Sequence, residues 1–210
     1  MPCVHQHYPT RSKGIQMKLH HIALAIMAAA TVGSQAQAAV FNGATTAGGN
    51  TVFEQTLGSD LSFDLDLLSK APVTLNFTLE SSDFSGDALT FSALVRNLTG
   101  LGFGNVSVTL SGITFASNGG TFATDGFAAV SASGSSATQA WATFTPDLTS
   151  EFYVGNPLGK AGQANWTLNL DGLHAGNQFS VTVAVPEAET YAMVVAGLAV
   201  MGLAVRRRKA

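Results

Sequence analysis

Residues 73–79 read Val-Thr-Leu-Asn-Phe-Thr-Leu, an unbroken alternation of apolar and polar side chains. Successive side chains of a β-strand point to opposite faces of the sheet, so this period places Val73, Leu75 and Phe77 on one apolar face. The same period recurs at residues 61–67, 106–110, 166–170 and 179–185. Because each of these strands has one apolar face, it must bury that face against a second layer.

Turn signals that contain glycine separate the alternating runs. They include Asn42-Gly43, Gly48-Gly49, Asp125-Gly126, Ser133-Gly134 and Asp171-Gly172. Glycine readily adopts the positive φ that tight turns need. About ten short strands separated by such turns are typical of an antiparallel two-sheet β-sandwich, and we expect this all-β fold. The threonine-rich strands leave a β-helix as the alternative, although no repeat of 20–50 residues is evident.

Charged side chains make up only 11% of the chain, and the formal net charge is −3. A nucleic-acid-binding protein needs a basic face, so this composition excludes that class of function. Between residues 39 and 185, eleven acidic residues are opposed by only Lys70, Arg96 and Lys160. A body this acidic is repelled by anionic polymers unless cations intervene.

The first part of the chain has the pattern of a secretory signal peptide. Met17-Lys18 provides a basic start, residues 22–32 are apolar, and Ala36 and Ala38 are the small residues of an A-x-A-like cleavage site. Signal peptidase and the general secretion machinery read this pattern. We therefore expect residues 1–38 to be a leader with a signal helix.

Cleavage there makes the mature chain begin at Ala39 or the residue after it. The only cysteine, Cys3, is then removed, and the body keeps His174 as its histidine. No disulfide framework and no Cys/His zinc cluster can then form. A catalytic triad would have to use His174, which lies in a predicted turn, so we predict no catalytic residue. Whether translation starts at Met1 or at Met17 stays open.

A second apolar segment, residues 191–205, carries no charge and leads directly into four basic residues. These four are Arg206, Arg207, Arg208 and Lys209. A helix of this length is about 22 Å long, so it spans the roughly 30 Å hydrocarbon core only with snorkelling arginines and local thinning of the bilayer. The positive-inside rule keeps the basic end cytoplasmic. The sequence therefore predicts a single C-terminal transmembrane helix with the body outside.

The residues just before this helix are Val185, Pro186, Glu187, Ala188, Glu189 and Thr190. Together with the apolar helix and the basic tail, they resemble the PEP-CTERM sorting signal over residues 185–210. Ala188 stands where that pattern has its second proline. The resemblance implies a Gram-negative bacterium that makes exopolysaccharide. It also implies an exosortase that recognises this region in the inner membrane, removes the helix, and releases or transfers the protein outward.

Two features of the body are candidate binding sites. Asp64 and Asp66 share one face of a predicted strand, and their carboxylate oxygens are the hard ligands that calcium prefers. Trp141 and Trp166 are candidate platforms for sugar rings. Alternation places Trp166 with Leu168 and Leu170, which favours a core position for it. Calcium is the only cofactor that the sequence indicates.

We expect three segments: a leader over 1–38, an extracellular β-sandwich domain over 39–184, and a sorting signal over 185–210. The favoured function is an exported, non-enzymatic protein of the cell surface or extracellular matrix, associated with biofilm or exopolysaccharide. A carbohydrate-binding module, with or without calcium, is the first alternative. A secreted hydrolase that uses carboxylates such as Glu54 and Asp60 is the second. Exposure of the tryptophans distinguishes the first two classes.

Overall fold

The computed structural model describes residues 39–117, 119–147 and 149–186, which form thirteen β-strands and one 3₁₀ helix. The strands are β1 Val40–Thr45, β2 Thr51–Glu54, β3 Asp60–Leu67, β4 Val73–Thr78, β5 Thr90–Asn97, β6 Asn105–Ser111, β7 Thr114–Phe115, β8 Phe122–Thr124, β9 Ala129–Ser135, β10 Gln139–Thr145, β11 Glu151–Val154, β12 Trp166–Asn169 and β13 Gln178–Ala184. The 3₁₀ helix, Ser81–Phe84, lies between β4 and β5. The all-β prediction is confirmed for this part of the chain.

The strands form two sheets. The six-stranded sheet has the order β1-β4-β13-β6-β10-β9, and the seven-stranded sheet has the order β2-β3-β5-β11-β8, with β12 paired to β5 and β7 paired to β12. The sheets pack face to face through aromatic side chains. The ring centroids of Phe63 on β3 and Phe77 on β4 are 5.7 Å apart, and those of Phe144 on β10 and Phe152 on β11 are 5.4 Å apart.

The alternation in the sequence appears directly in the burial of the strands. Along β3, Leu61, Phe63, Leu65 and Leu67 are buried in the core, and the residues between them are only partly buried. The predicted runs in β4, β6, β12 and β13 follow the same rule. These five strands therefore lie where the apolar period predicts them.

One pair of strands differs from the expected antiparallel arrangement. Strands β3 and β5 run parallel, with Asp60 opposite Thr90 and Asp66 opposite Arg96. The strand between them in sequence, β4, belongs to the other sheet. The chain therefore crosses to the six-stranded sheet and back, and it returns in its original direction. The prediction of a purely antiparallel sandwich is wrong at this pair.

Two of the predicted turns are also wrong, because their glycines lie inside strands. Gly43 lies in β1, where the register with β4 shifts between Phe41 and Gly43, and its φ is 103°. Its positive φ therefore serves a β-bulge. Gly134 lies in β9, opposite Trp141. The lack of a side chain at Gly134 makes room for that indole ring.

Both predicted flanking helices, the signal helix within 1–38 and the transmembrane helix over 191–205, lie outside the described residues. Among the residues that are described, no helix has the length and apolar character needed to cross a membrane.

Candidate functional site

Charge is divided unequally between the two sheets. The strands of the six-stranded sheet, all of whose residues the structure describes, contain no Asp, Glu, Lys, Arg or His. Its outward positions hold hydroxyl and amide side chains: Thr74, Asn76, Thr78, Asn105, Ser107, Thr109, Ser111, Gln139, Thr143, Gln178, Ser180 and Thr182. The charged strand residues lie in the other sheet: Glu54, Asp60, Asp64, Asp66, Arg96 and Glu151. We call the outer surface formed by these hydroxyl and amide residues the uncharged face.

The strand register arranges these polar groups in rows. Thr182 on β13 lies opposite Thr74 on β4 and Thr109 on β6, and Thr109 lies opposite Gln139 on β10. Neighbouring strands are about 4.8 Å apart, so the row has a regular spacing. The Oγ1 atoms of Thr74 and Thr182 share a hydrogen bond of 2.9 Å. This bond limits the rotamers of both side chains.

Trp141 provides the large apolar surface of the uncharged face. It lies on β10 opposite Ser107 of β6 and Gly134 of β9, and it is 41% exposed. A Cβ atom at Gly134 would come within 2.8 Å of the indole ring. The ring therefore rests against the backbone of the neighbouring strand and leaves part of its surface open to solvent.

A groove of about 530 Å³ borders this tryptophan. Its lining consists of Asn105, Val106, Ser107, Gln139, Trp141, Ala142 and Pro186. An aromatic ring beside amides and hydroxyls can pack against the apolar face of a sugar and hydrogen-bond its hydroxyl groups.

Trp166 has the opposite environment and is only 3% exposed. Its ring centroid is 5.0 Å from that of Phe115 and 5.3 Å from that of Phe122. A Cβ at Gly120 would come within 2.5 Å of the indole. The predicted core position of Trp166 is confirmed, and it cannot serve as a sugar platform.

Asp64 and Asp66, the candidate calcium ligands, share one face of β3 as predicted. Arg96 on the parallel strand β5 lies against both: its Nε is 2.7 Å from Asp66 Oδ1, and its Nη2 is 3.6 Å from Asp64 Oδ2. The shorter contact is an ion pair whose angle is unsuitable for a hydrogen bond. Across the described part of the chain, no three His, Cys, Asp or Glu side chains are grouped to hold a metal ion. Calcium at this position would have to compete with the guanidinium.

The sequence did not predict the polar cluster around Asp60. Asp60 begins β3 and accepts a hydrogen bond of 3.0 Å from Thr90 Oγ1. The hydroxyl of the fully buried Ser92 lies 3.4 Å from either carboxylate oxygen, and Asn165 also donates to the carboxylate. Burial raises the pKa of Asp60, and these hydrogen bonds oppose that rise. Because its partners come from distant strands and a loop, this cluster had no signal in the sequence.

The structure describes the three residues considered for a hydrolase, which are His174, Glu54 and Asp60. His174 is exposed in the turn before β13; its backbone N–H donates to Asn177 Oδ1 at 3.0 Å, and its ring Nδ1 is 3.1 Å from the Ala175 carbonyl. It therefore lies in a turn, as predicted. Glu54 lies on β2 opposite Phe63, whereas Asp60 is bound to the hydroxyls just described.

Only two residues of the predicted sorting motif are described. Val185 is buried directly after β13, and Pro186 lines the groove beside Trp141. The other predicted site residues lie outside the described residues: Ala36, Ala38, Glu187, Ala188, Thr190, Arg206, Arg207, Arg208 and Lys209.

Comparison with known families identifies one segment of the chain. Residues 184–209 match the family model of the PEP-CTERM protein-sorting motif. The predicted resemblance, confined to this end of the chain, is therefore confirmed. The motif implies export, processing at the membrane and an exosortase as the processing partner. No significant match is found among curated proteins or among solved structures.

Proposed function

We propose that this chain is an exported, non-enzymatic protein of the cell surface or extracellular matrix. It is held transiently in the inner membrane by its C-terminal helix and released or transferred by exosortase. The match of residues 184–209 to the PEP-CTERM protein-sorting motif carries this proposal. The biofilm and its exopolysaccharide are the setting in which we expect the β-sandwich to act.

The described body supports a structural role because three carboxylates of β3 already have partners. Asp64 and Asp66 contact Arg96, and Asp60 accepts hydrogen bonds from hydroxyl groups. A hydrolase instead needs carboxylates directed at a shared substrate position. The uncharged face offers a broad surface for contact with a neutral polymer, which suits an adhesive protein.

Processing is tested by the mass of the protein recovered from culture medium. In a host with exosortase, the extracellular protein should lack everything beyond about Thr190, because the enzyme separates the body from the apolar helix. Deleting the exosortase, or replacing Arg206 to Lys209 with neutral residues, should abolish this product. A Lys160→Gln variant removes a basic residue from the body and serves as the control. Released protein with an intact C-terminus through Ala210 would contradict the proposal.

A carbohydrate-binding module is the second candidate, and the exposure of Trp141 favours it. In this version of the function, the uncharged face binds a neutral polysaccharide, with the indole packed against one sugar ring. The groove beside Trp141 supplies amide and hydroxyl partners for neighbouring sugar hydroxyls.

This candidate is tested by retention of the protein on exopolysaccharide purified from the producing cells. Trp141→Ala should weaken retention by more than about tenfold, which corresponds to roughly 1.4 kcal/mol. Phe53→Ala is the matched control, because Phe53 is an exposed aromatic residue of the other sheet. Equal retention of both variants would exclude the uncharged face as the binding surface. Thermal unfolding of each variant confirms that the fold is intact.

A further inference from the structure

Asp83 is a buried carboxylate that has only backbone donors as its described partners. It lies in the 3₁₀ helix Ser81–Phe84 and is 9% exposed. The backbone N–H of Glu80 donates to its Oδ2 at 2.7 Å, and the backbone of Ala39 is the second neighbour whose hydrogen bonding lowers the pKa of this carboxyl. Burial raises the pKa of Asp83, the two backbone hydrogen bonds oppose that rise, and the charge of Glu80 adds to it. The site therefore favours a positive partner.

Ala39 is held beside Asp83 by the fold of the body. It is 2% exposed, and the next residue, Val40, pairs with Thr78 at the end of β4. Two residues after Thr78 the chain reaches Glu80, just before the 3₁₀ helix. The pairing of β1 with β4 therefore fixes the position of the Ala39 nitrogen next to the carboxylate.

We propose that Asp83 is the binding site for the α-ammonium group that signal peptidase creates at Ala39. The inference rests on the export included in the proposed function, and specifically on cleavage after Ala38. Water hydrolyses the Ala38–Ala39 peptide bond: the leader keeps a new carboxylate at Ala38, and the Ala39 nitrogen becomes an amine. An α-amino group ordinarily has a pKa near 8, so at neutral pH this amine takes a proton and becomes an ammonium.

Cleavage changes the contact from a neutral amide donor to a charged one. Before cleavage, Ala39 offers the carboxylate a single amide N–H; afterwards it offers a positive charge and up to three N–H groups. Both contacts are charge-assisted because the carboxylate is ionised, but the ammonium adds the attraction between two opposite charges. Removal of the leader therefore stabilises the body, so the protein gains its full stability only after export.

The contact between Asp83 and Ala39 also indicates which peptide bond signal peptidase cleaves. Cutting one residue earlier or later moves the ammonium by about 3.8 Å along the chain, out of contact with the carboxylate. Of the two starting residues that the A-x-A-like pattern allows, the structure therefore selects Ala39.

The test uses mature protein purified from the exporting host, in a double-mutant cycle. One change inserts a glycine between Ala38 and Ala39, which keeps the cleavage pattern and the net charge but displaces the ammonium by one residue. The other change is Asp83→Asn, and the two are also combined. In the otherwise unchanged protein, the insertion should lower the thermal midpoint by roughly 5–10 °C at pH 7. In the Asp83→Asn background it should have little effect, because no carboxylate is left to bind the ammonium.

The pH profile provides a second readout. Because the carboxylate raises the pKa of the ammonium, this stabilisation is present at pH 7 and is lost as the pH rises through the raised value. Glu80 is the charged neighbour of the pair, so Glu80→Gln controls for a general loss of negative charge. The Glu80→Gln protein should still respond to the glycine insertion.

The outcomes separate this inference from the export proposal. A mature chain that begins at Ala39 but responds equally to the insertion in both backgrounds would overturn the inference and leave export intact. N-terminal sequencing that finds Ala38 or Val40 first would also overturn it. Retention of the leader on protein from the medium would overturn both. An insertion effect that depends on Asp83 and fades at high pH supports the inference.

Discussion

The indole of Trp141 lies over Gly134 of the neighbouring strand, so closely that a Cβ atom at Gly134 would come within 2.8 Å of the ring. The residue with the largest exposed apolar surface on the uncharged face is therefore positioned by a residue with no side chain. The position of the candidate sugar platform therefore depends on which residue the edge strand β9 has at position 134.

Gly134→Ala should displace the Trp141 ring and lower the free energy of unfolding by about 1–3 kcal/mol, because the added methyl group overpacks the contact. Thermal unfolding measures the stability, and acrylamide quenching of tryptophan fluorescence measures the displacement, since Trp166 is buried. Ala132→Ser, at the next outward position of β9, is the control. Unchanged stability and quenching in Gly134→Ala would show that the ring does not depend on this glycine.

Asp60 gives a prediction about pH. Burial raises its pKa in the folded protein, so the folded state holds the proton more tightly than the unfolded state does. The stability of the wild type relative to Asp60→Asn should therefore be greatest below about pH 3.9 and should fall as the pH rises through the raised value. The measurement is the difference in thermal midpoint between the two proteins from pH 3 to pH 7. Asp171→Asn, in an exposed loop, controls for removal of one negative charge; a difference that grows with pH would contradict the prediction.

The calcium hypothesis can be tested through Arg96, since its guanidinium occupies the position between Asp64 and Asp66. Arg96→Ala leaves two neighbouring carboxylates without their positive partner, so this variant should be less stable than the wild type. Millimolar calcium should raise its thermal midpoint by more than it raises that of the wild type. The matched control is Arg96→Ala combined with Asp64→Asn and Asp66→Asn, which should lose the calcium response. An equal calcium response in all three proteins would place any calcium site elsewhere.

The strands that the sequence predicts well have one buried and one outward face. Strands β3 and β4 follow the apolar alternation residue by residue. Strand β5 does not, because Leu94 places an apolar side chain on its outward side; the outward Ser92 is also buried, in the Asp60 cluster. Strand β9 also lacks the apolar alternation. It is an edge strand of small residues that is mostly exposed, so it has no apolar face to bury.

The same distinction applies to the candidate sites. Alternation within β10 places Trp141 on the polar side, with Gln139 and Thr143. The two-residue period of the sequence is therefore enough to predict that Trp141 is exposed. The ion pair of Arg96 with Asp66 could not be predicted from the sequence, because it depends on the parallel pairing of two strands separated by a crossover. Contacts that depend on topology, including that of Asp83 with Ala39, need the folded chain to be recognised.

The last prediction concerns Ala188, which stands where the sorting motif has its second proline. Proline fixes φ and restricts the residue before it to an extended backbone. If exosortase binds the motif in an extended conformation, Ala188→Pro should order the segment before binding and reduce the entropy lost on recognition. The fraction of protein processed at a fixed time after synthesis should then rise, as measured by pulse-labelling and the ratio of precursor to extracellular product.

Pro186→Ala should lower that fraction, because Pro186 is the remaining proline of the motif. Ala192→Pro is the control, because it places a proline in the predicted apolar helix instead of the motif and should not increase processing. Equal processing of Ala188→Pro and the wild type would show that exosortase reads the motif without its second proline.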